Sequence, residues 1–465
     1  MKLHGMRLQN SSKSFWWSWG MSNLPQGWSE KPLGTLSLLR RGITYYAEML
    51  VEEGAGLPYV NMKSFKKGGG FNKNGLKFFN GPYIKDDLAA SDELLIANTD
   101  VTLDGDIVGI PAYLPIHIRQ NSVLFSHHVT RIKFVGDEIS SHFLYYLLNI
   151  DEYRRWMHKY ARGTTVMMLD MTAIKRIPIR YPTSKNLQRE IVKKLEFCDE
   201  VIEKTKALIH KYQQIKAGLM HDLFTRGLTA DGKLRPPREQ APELYQETPI
   251  GWIPKEWAVV PLGRMSDITS GVTLSSKTSP DQKLEVPYLR VANVQDGYLD
   301  LNEVKTIKVN QKTFENLVLK KGDVLMNEGG DFDKLGRGTV WQGEIDNCIH
   351  QNHVFRVRVD QEHIRPYYLA YWSESEFGKK YFVLSSKQST NLASINSTQL
   401  NVYPIGKPEK EEQERIETMI NSLNSFINNL KNESQKLTAK KFGLMHDLLT
   451  GKVQLKIDLM EAGHG

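Results

Sequence analysis

The eight residues GLMHDLFT at 218–225 return 225 positions later as GLMHDLLT at 443–450. Seven of the eight agree in a fixed order that includes His, Met and Asp, which composition does not explain. The match extends upstream. LPQGWSEKPLG (24–34) resembles IPKEWAVVPLG (253–263), and the same offset of 229 pairs RGIT (41–44) with SGVT (270–273) and LPYV (57–60) with VPYL (286–289). Further on, IPIRYPTSKNLQREI (177–191) parallels YPIGKPEKEEQERI (403–416). A chain that repeats itself in this way is two tandem copies of one structural unit, each about 225 residues long.

Each copy has two parts. Residues 24–183 and 252–408 mix short β-rich runs, such as HVFRVRV (353–359), with Gly-rich loops. Each also predicts one amphipathic helix, SHFLYYLLNIDEYRRWM (141–157) in the first copy and PYYLAYWSESEFGKKYF (366–382) in the second. That pattern is a mixed α/β (α+β) globule. A long Pro-free helix follows in each copy, at about 187–221 and 411–446. In the first, a heptad spacing of alternating four and three falls on Ile191, Leu195, Cys198, Ile202, Thr205, Ile209, Tyr212, Lys216 and Leu219. In the second it falls on Ile416, Ile420, Leu423, Ile427, Leu430, Ser434, Leu437, Lys441 and Leu444, in the same register. A 3.5-residue repeat held over four heptads predicts a coiled coil. Duplicated halves behave like a fused homodimer, so an antiparallel pair with pseudo-two-fold symmetry is expected.

The expected organisation is an extension (1–20), a first globular domain (21–184) and a first spacer helix (185–225). A polar, extended linker (226–250) follows, then a second globular domain (251–408), a second spacer helix (409–450) and a tail (451–465).

A search for reaction chemistry yields no site. No GxxxxGK[ST] phosphate loop, Gly-rich dinucleotide fingerprint or Asn/Asp-Pro-Pro-aromatic methyltransferase motif is present; the one Pro-Pro is Pro236–Pro237 in the linker. CIHQNH (348–353) suggests a metal cluster, but a strand would turn Cys348 and His350 to one face and His353 to the other. Asp296, Glu303 and Lys305 have a nuclease-like spacing that a chain this charged produces by chance. Catalytic and metal-ligating residues are therefore expected to be absent. Two cysteines suit a reducing cytoplasm, and no apolar run reaches the ~18 residues a membrane span needs.

The loops offer polar and basic chemistry instead, in a chain of net charge +8. NMKSFKKGGGFNKNG (61–75) places Lys63, Lys66, Lys67 and Lys73 to meet phosphates and Asn72 to read base edges. RVANVQDG (290–297) occupies the equivalent place in the second copy and brings Arg290 and Asn293. SSKQSTN (385–391), with Lys387 and Asn391, stands opposite ARGTT (161–165), with Arg162 and Thr164. Ser276, Lys277, Lys334, Arg337 and Gln351 complete the candidates. The framework repeats while these loops differ, as two readers with one scaffold and two specificities would.

With its P-x-x-W-x-x-x-P-L-G openings, G-[IV]-T, P-I-x-x-P exits, Gln/Glu-rich helix starts and GLMHDL[FL]T helix ends, the chain resembles the specificity subunit of type I restriction-modification enzymes over about residues 21–457. The resemblance implies two target-recognition domains, each reading one half of a split double-stranded DNA site. It implies paired helices that fix the gap between the halves and dock two modification subunits. Those partners would bring S-adenosylmethionine and methylate adenine N6, and ATP- and Mg-dependent translocase-nuclease (restriction) subunits would join them; this chain itself would need no cofactor. The first copy departs from the acidic helix start of the second, YPTSKNLQREI against KPEKEEQERI. Two other classes compete: a self-contained DNA methyltransferase, and a coiled-coil scaffold that never touches DNA.

Overall fold

The computed structural model describes residues 24–90, 93–100, 105–114, 122–163, 166–273, 283–330, 336, 338–388 and 393–455. The chain divides into two compact units: residues up to 205 together with those from 433 onward, and residues 206–432. Both long helices, Lys185–Thr225 and Lys410–Leu449, pass through that division.

In unit 1, Trp28–Pro32 pairs antiparallel with Pro178–Pro182, so the strand entering the globular part is zipped to the strand leaving it. Between them lies a four-stranded antiparallel sheet ordered Ser37–Arg41, Val129–Phe134, Leu94–Ala97, Pro111–Ala112. LLIA at 94–97 is wholly buried, which explains its unbroken apolar run. A five-stranded sheet contains a parallel pairing, Tyr59 opposite Leu124. A three-stranded sheet runs Ala161–Arg162, Met167–Leu169, Thr99–Asp100.

Unit 2 repeats this frame. Ala258–Pro261 zips to Pro404–Lys407, and Ser266–Ser270, Val354–Val359, Val324–Asn327 and Gly338–Val340 form the four-stranded sheet. Tyr288 stands opposite Ile349 in parallel, and Lys387–Gln388, Ala393–Ser394 and Gly329–Gly330 form the small sheet. The repeated G-[IV]-T has a steric cause. A Cβ on Gly42 would lie 2.0 Å from the Phe125 carbonyl oxygen, and one on Gly271 would lie 2.0 Å from that of His350.

The long helices pack antiparallel within each unit. In unit 1, Ile191, Val192 and Leu195 share a core with Met445, Leu448 and Leu449, and Lys441 pairs with Asp199. In unit 2, the Tyr212 and Phe426 rings lie 4.6 Å apart, while Met220, Leu223 and Phe224 join Ile416 and Ile420. All heptad positions, from Ile191 to Leu219 and from Ile416 to Leu444, are buried or half-buried. They include Leu195, Ile202, Ile209, Leu437 and Leu444. The seam lysines lay their stems on the apolar surface and carry their amines to carboxylates, Lys216 to Glu374 at 2.8 Å and Lys441 to Asp199.

The repeated phrase closes each unit. His221 of the first phrase meets Glu376 at 3.3 Å in unit 2, and His446 of the second meets Glu152 at 3.0 Å in unit 1. Each phrase thus packs on the globular domain encoded by the other half of the chain.

Two expectations are corrected. In place of one amphipathic helix per copy there are two, Ser141–Leu148 with Asp151–Tyr160, and Pro366–Glu374 with Glu376–Ser385. The breaks fall at Ile150 and Ser375, whose backbones are extended, and the Ser375 hydroxyl accepts from the Gly378 N–H to start the second helix. The 226–250 segment is not an extended linker. It folds onto unit 2, with Leu228, Arg235, Ala241 and Tyr245 buried and Tyr245–Thr248 hairpinned to Gly251–Pro254. Arg235 is clamped by Glu412 at 2.6 Å and Glu256 at 2.5 Å.

Candidate nucleic-acid interface

The two three-stranded sheets carry the candidates that stand opposite each other in sequence. In unit 1 a row crosses the sheet from Arg162 to Met168 to Thr99. In unit 2 the equivalent row is Lys387, Ser394, Gly329. A cation therefore begins both rows.

At the far end of each row sits a tight turn joining two strands. The Asn98 N–H donates to the His128 carbonyl and the Leu169 N–H to that of Asn98 (2.9 and 2.8 Å). In unit 2, Glu328 donates to His353 and Ile395 to Glu328 (3.0 and 2.8 Å). The backbone frame is the same, and the side chains mounted on it differ. Unit 1 has His127 and His128 with ring centroids 3.8 Å apart, and the Thr99 hydroxyl lies 2.8 Å from His128 Nδ1. The exposed Arg41 reaches 3.5 Å from Met168 Sδ beside them. Burial, then the neighbouring cations and rings, hold both histidine pKa values below the usual range, so both rings are neutral at pH 7. In unit 2 the turn carries Asn352 and His353, and His353 Nδ1 lies 2.7 Å from Glu328 Oε2.

These turn residues were missed at the sequence level. The signal was there: SHHVTRIKF and QNHVFRVRV align at the offset of 225, which puts His128 on His353.

The remaining candidates separate. Lys63, Lys66, Lys73 and Arg162 are exposed. Lys67 is ion-paired with Asp106, and the Asn72 amide donates to the Lys63 carbonyl at 2.9 Å, inside its own loop. Asn293 is not positioned to read bases. It is 3% exposed, its oxygen accepts from the Arg290 N–H, and its nitrogen donates to the carbonyls of Asp300 and Glu303. Arg290 turns to Glu303 at 3.4 Å, and Gln351 is half-buried in a bridge to Val272. Thr164, Ser276, Lys277, Lys334, Arg337 and Asn391 lie outside the described residues, as does the side chain of Lys387. In CIHQNH, Cys348 is buried and His350 Nδ1 is bonded to the Val354 carbonyl at 2.6 Å.

One α/β frame built twice, with a cation-headed row and a variable turn in each copy, defines a duplicated recognition protein. The model of the type I restriction modification DNA specificity domain matches residues 25–214 and again 254–439, and the chain belongs to that family. It is 25% identical over 386 residues to the type I restriction enzyme MjaVIII specificity subunit of Methanocaldococcus jannaschii, covering 80% of this chain and 85% of that one. A match to the putative MjaX specificity subunit of the same organism, 26% identical over 209 residues, spans 45% of this chain and about half (49%) of the relative. A solved chain from work on complex assembly and conformational transition of the type I R-M system shares the fold. Its TM-score is 0.58 at 18% identity, covering 93% of this chain and 100% of that one.

Proposed function

We propose that this chain is the non-catalytic DNA-reading subunit of a type I restriction-modification assembly. Unit 1 reads one half of a split duplex target and unit 2 the other. The paired helices set the gap and dock two modification subunits, which supply S-adenosylmethionine and methylate adenine N6. Restriction subunits driven by ATP and Mg join that core. The observation that carries this reading is the repeated frame with different chemistry at one corner, which is what two specificities on one scaffold require. The cytoplasm is the compartment proposed: Cys198 and Cys348 are free thiols, and no helix among the described residues is long and apolar enough to cross a membrane.

Purified chain incubated with labelled S-adenosylmethionine and DNA tests this, with and without a modification subunit. Methyl transfer is expected only with the partner added. Transfer by the chain alone would favour the methyltransferase reading, and a complex that shows no salt-dependent DNA binding would favour the scaffold.

A further inference from the structure

His128 and His353 occupy one position of the repeated frame, each at the end of a row headed by a cation. Each is braced at Nδ1 by a side chain from the neighbouring strand segment, Thr99 Oγ1 at 2.8 Å and Glu328 Oε2 at 2.7 Å. A braced imidazole has a fixed plane. We infer that His128 and His353 are the equivalent specificity-determining residues of the two units, each taking part at its turn in reading one base edge. The inference rests on the DNA-reading function proposed above.

The braces differ in chemistry, a carboxylate in unit 2 and a hydroxyl in unit 1. A carboxylate only accepts, so His353 Nδ1 donates its hydrogen to Glu328. The Asn352 amide nitrogen lies 3.4 Å from His353 Nε2, so the two side chains form one polar edge at the turn. The Thr99 hydroxyl donates to Met62 Sδ at 2.9 Å, so it accepts from His128 Nδ1–H at 2.8 Å. His127 and Asn352, the residues before them, complete two different donor and acceptor sets on one backbone. Arg162, exposed at the other end of the first row, has the chemistry to hold a phosphate while the histidine reads.

The test enriches a randomised duplex library with the full chain in complex with its modification subunits. His353→Ala and Glu328→Gln should each flatten preference roughly fivefold to tenfold at the same single base position of one half-site. The other half-site should be unchanged. His128→Ala should do the same at one position of the other half-site. Thr99→Val, which keeps shape and removes the brace, should act at that same position and serves if His128→Ala does not assemble. Folded variant complexes that retain every base preference of the parent overturn the inference while leaving the DNA-reading function intact. A parent complex that enriches no sequence overturns that function itself.

Discussion

An amide on a loop reads a base or holds the loop, and burial decides between the two. Asn293 sits in RVANVQDG, where its side chain suits base recognition, yet it is buried and bonded to three backbone groups. Asn293→Ala should destabilise the protein by about 1–3 kcal/mol and leave target preference unchanged in the folded fraction, as paired denaturation and enrichment measurements would show. Lys66→Ala should do the reverse. Stability should hold, while binding weakens on all sequences and the slope of log affinity against log salt falls by about 1. His350 gives a pH signature. It is fully buried, and burial pushes its pKa down to about 4. Below about pH 6.5 the unfolded chain takes up a proton that the folded ring refuses, so stability falls with pH until about pH 4, by roughly 3 kcal/mol in all. Phe125 fills the same place in unit 1, since it pairs with Val60 as His350 pairs with Leu289. His350→Phe should therefore flatten that acid slope in denaturant titrations between pH 4 and 6.5. An unchanged slope would mean that the proton linkage lies elsewhere.

At the scale of elements, the strap formed by residues 226–250 depends on one buried pair. Arg235 and Glu412 have side chains 6% and 7% exposed, and Glu412 also accepts from the Leu228 N–H. Arg235→Ala strands the carboxylate and should cost about 3–5 kcal/mol, whereas Arg235→Met with Glu412→Leu should recover much of it. A single variant as stable as the parent would show that the strap does not need this pair. The strap was illegible in sequence because Pro, Gly and charge mark a linker unless their partners are known. The helix seam was legible because spacing alone encodes it, and every heptad position proved at least half-buried. The breaks at Ile150 and Ser375 were not, because each amphipathic pattern runs through them. Gln188 and Gln413 read as ordinary polar residues of a helix start. Each is buried, accepts from a backbone N–H (Ser140 and Arg365) and donates to two carbonyls, fastening its helix to its own domain in the same way.

For the whole molecule, the duplication gives one scaffold two separable readers, and the proposed spacer role has a direct consequence. Inserting seven residues in each long helix adds ~10 Å of helix, about three base pairs of duplex. Methylation mapping should then find both half-sites intact with a longer gap, or activity lost because the grooves have rotated out of register. A changed half-site with an unchanged gap would contradict the role of the helices.

The exchange of the two GLMHDL phrases also orders the birth of the protein. Unit 2 is one continuous stretch, 206–432, whereas unit 1 waits for Met445, Leu448 and Leu449 to complete its core. On a ribosome that emits the chain from its first residue, the domain begun first is therefore finished last. A message cut short just before codon 433 would yield a sealed second reader and a first reader open along one apolar side, a species for chaperones and proteases to find.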